Sequence, residues 1–150
     1  MQRPVISMHG PWANWVALRW KTIETRTHQR LKSLVGKRIG IHVTVEWDDQ
    51  AIKLARPYLS ENQILASESF LKIGGAIICT AVVQTHRLLT AADSQAALID
   101  CGSFRRYGLE LVDVRSIEAI PILGKQGIWY HDFIEEIPAH ESRSETEQLP

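Results

Sequence analysis

Residues 11–26 have the sequence Pro-Trp-Ala-Asn-Trp-Val-Ala-Leu-Arg-Trp-Lys-Thr-Ile-Glu-Thr-Arg. In the first half of this segment, Trp12, Val16 and Trp20 recur every four residues, which predicts a short helix with one buried apolar face. Pro11 suits the first helical position, because the N–H group that proline lacks would have no partner there. The segment is therefore expected to begin as a helix that packs against the rest of the chain.

The second half of the segment has a different period. The alternation from Lys21 onward predicts a strand on which Glu24 and Arg26 share one face. A carboxylate and a guanidinium would then lie side by side, with the Lys21 ammonium at the entrance to that face. We take this cluster as the candidate site. A structural ion pair of little energetic weight is the alternative interpretation of Glu24 and Arg26.

The composition is that of one ordinary globular domain. The chain has 150 residues, of which 45% are hydrophobic and 23% charged, which is enough to bury a core. Cys79 and Cys101 lack the spacing of a disulfide framework or a zinc site, and the histidines lack a metal-ligand spacing. No signal peptide or membrane span is indicated. We expect a cytoplasmic protein with no membrane partner, no metal and no cofactor.

Charge is distributed unevenly along the chain although the net charge is zero. Residues 19–38 contain seven basic side chains and one acid, whereas residues 132–150 contain six acids and one arginine. The basic region suits a phosphate-facing surface, and two solvated surfaces are the alternative explanation. The polar composition of residues 137–150 predicts a disordered acidic tail after a single domain at residues 1–136.

Apolar runs and alternations predict six strands along the chain. They span residues 4–8, 21–26, 38–45, 76–83, 107–114 and 117–123. Helical patterns occupy residues 48–70, with a capping box that starts at Ser60, and residues 90–99. Together these elements predict an α+β fold, a small, mostly antiparallel and partly closed β-barrel of about six strands with short helices between them.

The strand at residues 38–45 has two distinct faces. Its apolar face is predicted to carry Ile39, Ile41, Val43 and Val45. The other, polar face carries His42 and Thr44, which we add to the candidate ligand-binding residues.

Five separated motifs resemble those of a known family. They are Gly-Pro-Trp-Ala at 10–13, Lys-Thr-Ile-Glu-Thr-Arg at 21–26, Gly-Lys-Arg-Ile-Gly-Ile-His at 36–42, Gly-Ala-Ile-Ile-Cys-Thr at 75–80 and Gly-Lys-Gln-Gly-Ile-Trp at 124–129. In this order they resemble the ASCH family, whose small domains are similar to the PUA β-barrel. The family signature G-x-K-x-x-E-x-R places its charged residues on Lys21, Glu24 and Arg26. Its glycine is Arg19 here, which is expected to change the turn and add charge at the mouth of the site.

The resemblance implies an RNA-related function, because PUA domains bind RNA. The leading expectation is that a cleft binds RNA, another single-stranded nucleic acid or a modified nucleobase. The ligand-binding residues would be Trp12, Lys21, Glu24, Arg26, His42 and Thr44. Trp12 would supply a stacking surface, and the Glu24 carboxylate could accept a hydrogen bond from an exocyclic amine.

The alternative is an enzyme, because some ASCH members hydrolyse N4-acetylcytidine and ribonuclease activity is attributed to a relative. In the hydrolases the resemblance implies a lysine, a threonine three residues later and a glutamate from a lid. Lys21 matches, but Glu24 occupies the threonine position, and the only acids between residues 89 and 103 are Asp93 and Asp100. Catalysis would then rest on Lys21 and Glu24, with Glu24 as a base for water.

Overall fold

A computed structural model describes residues 2–132, whose strands form one six-stranded sheet. The strands are β1 Gln2–Gly10, β2 Ile23–Arg26, β3 Arg38–Trp47, β4 Ala76–Leu88, β5 Tyr107–Pro121 and β6 Trp129–Asp132. Their order across the sheet is β2-β5-β4-β3-β1-β6. The pair of β1 and β3 is parallel and the other four ladders are antiparallel, as the sequence predicts for most of the sheet.

Short helices connect these strands, which also confirms the predicted mixture of helices and strands. The helices are α1 Trp12–Ala17, α2 Ala51–Ala55, α3 Glu61–Glu68 and α4 Ser94–Ala97, with 3-10 turns at Lys32–Leu34, Arg56–Tyr58 and Ala91–Asp93. The single pattern at residues 48–70 is thus interrupted between α2 and α3, at a turn that contains Pro57. The capping box is present, because Ser60 and Gln63 exchange side-chain and backbone hydrogen bonds at the start of α3.

The predicted closure into a β-barrel is not confirmed. Within residues 2–132 the ladder is open, since β2 pairs with β5 at one edge and β6 pairs with β1 at the other. Each edge strand has only four residues, which leaves little backbone with which to join the two edges. The two strands predicted between residues 107 and 123 are one continuous strand, β5, and the sixth strand is β6.

The largest part of the core lies between the sheet and α1. Ile41 on β3 is fully buried there with Val16 of α1 and Leu109 of β5. A second apolar cluster joins Trp15 of α1 to α2 and α3, and the Trp15 indole N–H donates to Ser67 Oγ at 2.9 Å. These two clusters fix α1 against the sheet and so determine where the chain enters β2.

The predicted apolar face of β3 is correct only in part. Ile39, Ile41 and Val43 are buried, but Val45 is 64% exposed. Pairing of β3 with β4 ends where Val43 meets Ala76, so Val45 extends past the neighbouring strand and has no core to enter.

Two further expectations concern the surroundings of the domain. No helix between residues 2 and 132 is long and apolar enough to cross a membrane. The predicted acidic tail at residues 137–150, and the predicted domain end at residue 136, lie outside the described residues. Both boundaries therefore stay predictions.

Replacement of Ile41 by alanine tests the packing of β3. Truncation of this buried side chain should lower the free energy of unfolding by about 2–5 kcal/mol, because it leaves a cavity in the core. Val45→Ala on the same strand is the matched control and should change stability by less than about 0.5 kcal/mol, since Val45 is exposed. Urea denaturation measures both values, and equal losses would contradict the described orientation of β3.

Candidate functional site

A tight turn after α1 directs the chain into the site. The backbone N–H groups of Trp20 and Lys21 both donate to Trp15 O, at 2.9 and 3.1 Å. Arg19 adopts a left-handed conformation with φ of 64°, which favours glycine. Arg19 thus takes a backbone conformation typical of glycine, so the expected change in the turn is not confirmed, and its guanidinium donates to Val114 O at 2.6 Å. Arg19 lines neither of the cavities described below, so the expectation that it adds charge at the mouth of the site is wrong.

The Lys21 side chain is buried, with only 1% of the residue exposed. Its Nζ donates to Ala97 O of α4 at 2.6 Å and lies 5.1 Å from the centre of the Trp12 ring. Glu24 Oε1 is 3.7 Å from Nζ, which is close enough for charge attraction but too long for a hydrogen bond. Burial lowers the pKa of the Lys21 ammonium to about 8, although the Glu24 carboxylate opposes this shift.

Glu24 and Arg26 share one face of β2 and are hydrogen-bonded to each other. Arg26 Nε donates to Glu24 Oε2 at 3.1 Å, and Arg26 Nη2 lies 3.0 Å from the same oxygen. The Glu24 side chain is 10% exposed and the Arg26 side chain 26%, so the pair is partly shielded from water. No hydrogen bond to Glu24 Oε1 is recorded among residues 2–132. One carboxylate oxygen is therefore occupied and the other is available.

Arg26 also connects two strands that are not neighbours in the sheet. Its Nη2 lies 3.3 Å from Ser7 O on β1, while β5, β4 and β3 stand between β2 and β1 in the ladder. The sheet must therefore curve until β2 approaches β1. At this gap the two strands are connected by the Arg26 side chain and not by backbone hydrogen bonds.

The first cavity at this gap has a volume of about 450 Å³, and we call it the Lys21 cleft. Trp12 forms part of its wall and donates its indole N–H to Asp48 Oδ2 at 2.8 Å. Four of the predicted ligand-binding residues line this cleft together: Trp12, Lys21, Glu24 and Arg26.

His42 and Thr44 line a second cavity of about 820 Å³, which we call the Lys125 groove. His42 is buried, and its Nε2–H donates to Ile122 O at 2.7 Å because a carbonyl can only accept. Thr44 Oγ1 donates to Glu46 O at 2.8 Å, so the His9 Nδ1–H must donate to Thr44 Oγ1 at 2.7 Å. The structure thus places these two predicted residues beside the Lys21 cleft and outside it.

Both cavities share part of their lining. Ser7, His9 and Arg26 face the Lys21 cleft on one side and the Lys125 groove on the other. The two cavities therefore lie next to each other along the gap between β1 and β2.

Sequence reasoning missed several residues that line the Lys21 cleft. They are Ser7, His9, Asp48 and Ile99. They come from β1 and from two loops, and no local spacing relates them to Lys21. Only the tertiary fold brings them together. In the sequence, nothing except their polar or apolar character could have pointed to a place in the cleft.

The acids considered for a hydrolase lid bond elsewhere. Asp93 accepts hydrogen bonds from Nη1 and Nη2 of Arg87, at 2.9 and 2.8 Å. Asp100 Oδ1 accepts from the backbone N–H of Gly102 at 2.8 Å. Neither carboxylate lines the Lys21 cleft, so neither of these two acids takes the place of the lid glutamate.

The fold is similar to that of solved ASCH structures from Zymomonas mobilis. The ASCH protein itself has a TM-score of 0.53 and 14% sequence identity, over 96% of this chain and 93% of that chain. A variant of that protein with a tyrosine replaced by phenylalanine has a TM-score of 0.54 and 16% sequence identity, over 96% of each chain. A variant with a serine replaced by alanine has a TM-score of 0.53 and 15% sequence identity, over 97% of this chain and 94% of that chain.

These likenesses establish the fold alone, because the sequence identities are low. No protein-family model and no curated protein matches the sequence. The chain has the fold of an ASCH domain, as the five sequence motifs predict.

Removal of the buried ammonium should change how stability depends on pH. The pKa of Lys21 is about 8 when folded and 10.5 in its ordinary range, so between these values the unfolded chain binds a proton that the folded chain does not. Stability contributed by Lys21 therefore rises with pH across this window. Relative to Lys21→Met, the wild type should gain about 2 kcal/mol of unfolding free energy between pH 7 and pH 10.

Urea denaturation at the two pH values measures this gain. Lys37→Met is the matched control, because Lys37 is exposed and its difference from the wild type should not depend on pH. A Lys21→Met difference that is the same at both pH values would show that the ammonium is not buried in solution.

Proposed function

We propose that this chain, which has the fold of an ASCH domain, binds a nucleobase in the Lys21 cleft, either as a nucleoside or within single-stranded RNA. One observation carries the proposal. A buried ammonium lies 3.7 Å from a carboxylate oxygen that accepts no recorded hydrogen bond in residues 2–132, and both line a cavity of about 450 Å³.

The hydrogen-bonding capacity of this pair suits the edge of a base. An ammonium has three N–H donors, and one hydrogen bond from Lys21, to Ala97 O, is recorded. Glu24 Oε1 is an acceptor beside it. Bases such as cytosine and adenine present an exocyclic amine, which can donate to Glu24, next to a ring nitrogen, which can accept from Lys21.

The other residues of the cleft fit a base that carries phosphate. Lys21, Arg26 and Arg106 bring three positive charges against the carboxylates of Glu24 and Asp48. The Trp12 ring offers an aromatic wall, and base stacking on such a ring contributes about 1–3 kcal/mol. A simple structural ion pair would need neither the cavity nor the free carboxylate oxygen.

Titration of cytidine and of a short single-stranded RNA tests this proposal. Lys21→Ala and Glu24→Gln should each weaken binding of both ligands by at least about tenfold, because each removes a charge-assisted hydrogen bond worth about 1.5–3 kcal/mol. Isothermal calorimetry measures the affinities, and circular dichroism confirms that each variant is folded.

The matched controls are Lys37→Ala and Glu118→Gln. Both residues are exposed and line neither cavity, so binding should stay at the wild-type level. Wild-type affinity in both folded site variants would exclude the Lys21 cleft as the binding site.

Amide hydrolysis is the second candidate function, and the Lys21 ammonium, 3.7 Å from the Glu24 carboxylate, favours it. With a pKa of about 8, Lys21 is mainly protonated at neutral pH and can stabilise a developing negative charge. In this reaction Glu24 accepts a proton from water, and the hydroxide attacks the acetyl carbonyl of N4-acetylcytidine. Lys21 stabilises the resulting oxyanion, and the amine then leaves with the proton, giving acetate and cytidine.

Acetate release from N4-acetylcytidine distinguishes the two candidates. If the hydrolase assignment holds, the wild type releases acetate and Glu24→Gln is slower by at least about a hundredfold, because it lacks the base. Glu118→Gln should keep the wild-type rate. Release no faster than in buffer, at a protein concentration equal to that of the substrate, would reject hydrolysis and leave binding.

A further inference from the structure

We propose that the Lys125 groove is a phosphodiester site that continues the Lys21 cleft, so that the ligand is a single-stranded oligonucleotide that passes over Arg26. This inference rests on the proposed function of the Lys21 cleft and specifies its ligand as a chain of nucleotides. It uses the larger cavity, which binding of one base leaves empty.

The charge and size of the groove suit a polyanion. Arg26, Arg30 and Lys125 line it, against one carboxylate, Glu46, so cations exceed acids by two. Its volume of about 820 Å³ is larger than that of the Lys21 cleft and can hold more than one nucleotide unit. One of these cations, Arg26, also lines the Lys21 cleft.

Two of the groove's cations, Arg26 and Arg30, lie close enough to His28 to affect its protonation. The Arg30 backbone N–H donates to His28 Nδ1 at 3.1 Å, which requires that nitrogen to be unprotonated. Burial lowers the pKa of His28, and the neighbouring cations Arg30 and Arg26 lower it further. The same positive charge that disfavours an imidazolium here favours a phosphate.

The turn at residues 124–127 is held in place at the edge of the groove. Ser7 Oγ lies 3.2 Å from Lys125 O, and the Trp129 indole N–H donates to the same hydroxyl at 3.1 Å. Gly124 packs directly on the Ser7 and His42 side chains, since a Cβ atom there would lie 2.5 Å from both Ser7 Oγ and His42 Cε1. Lys125 is therefore presented from an anchored turn.

Backbone donors of this turn are also available. Within the described residues, the N–H groups of residues 124–127 have no recorded hydrogen bond to another residue. Backbone N–H groups without a protein partner beside a lysine can donate to an anion. The turn thus supplies both a point charge and hydrogen-bond donors to a phosphate.

Arg26 is suited to lie under the connection between the two cavities. Its Nε and Nη2 bond to Glu24 and Ser7, whereas no hydrogen bond of Nη1 is recorded within residues 2–132. A guanidinium fixed on one side presents its remaining donors in a defined direction, which suits a phosphate oxygen. A base beside Lys21 would then place its own phosphate at Arg26 and the next one in the Lys125 groove.

The experiment compares cytidine with a single-stranded RNA of six cytidines, using the full chain in 50–300 mM NaCl. We expect the hexanucleotide to bind at least tenfold more tightly than cytidine. Its log affinity should fall with log salt with a slope of about −2, as neutralisation of three phosphates by Arg26, Arg30 and Lys125 requires. The affinity for cytidine should not depend on salt.

Lys125→Ala and Arg30→Ala should each weaken hexanucleotide binding by about threefold to tenfold and reduce the magnitude of the salt slope by about 0.7. Both variants should bind cytidine as the wild type does. Lys37→Ala and Arg56→Ala are the matched controls, because both side chains are exposed and line neither cavity. They should leave the hexanucleotide affinity and its slope unchanged.

The outcomes separate this inference from the proposed function. If cytidine binds but the hexanucleotide gains nothing, or ignores both groove variants, the groove inference is overturned and the base cleft stands. If hexanucleotide binding is weakened in the Lys125 and Arg30 variants but stays at the wild-type level in Lys21→Ala and Glu24→Gln, the groove is a phosphate site and the base cleft is rejected. If neither cytidine nor the hexanucleotide binds, both the base cleft and the groove are rejected. Polyglutamate that binds as tightly as the hexanucleotide at equal charge would show a general acidic-chain site and overturn the assignment to phosphodiesters.

Discussion

The burial of the Lys21 ammonium is the constraint on which the site depends. A buried charge persists only where hydrogen-bond and charge partners compensate for the lost hydration. Here the partners are Ala97 O of α4 and the Glu24 carboxylate of β2. Glu24 is in turn held by Arg26, which reaches Ser7 O on β1. One chain of polar contacts thus joins α4, β2 and β1 around the cleft.

The position of the site follows from the incomplete closure of the sheet. A six-stranded sheet curves enough to bring β2 near β1, but these strands exchange no backbone ladder. Side chains that would face a closed interior therefore border a gap, where Lys21, Glu24 and Arg26 can contact a ligand. The paired strands of the sheet position these side chains, and the lack of pairing between β1 and β2 leaves the opening between them.

Local patterns in the sequence predict much of this arrangement. The period change after Trp20 predicts that Glu24 and Arg26 share a face, and the five motifs predict the ASCH fold. The exposure of Val45, the open sheet and the separation of His42 from the Lys21 cleft depend on pairing between distant strands, so residue spacing could not predict them. The position of Arg19 could not be predicted from spacing either. Its backbone adopts a left-handed conformation typical of glycine, and its guanidinium donates to Val114 O outside the site.

The hydroxyl of Ser7 has a single hydrogen, yet two acceptors are within reach, His42 Nδ1 at 3.1 Å and Lys125 O at 3.2 Å. His42, whose Nε2–H is committed to Ile122 O, accepts through Nδ1 and so competes with the turn for that hydrogen. The rotation of one hydroxyl group therefore decides whether Ser7 holds the His42 ring or the 124–127 turn.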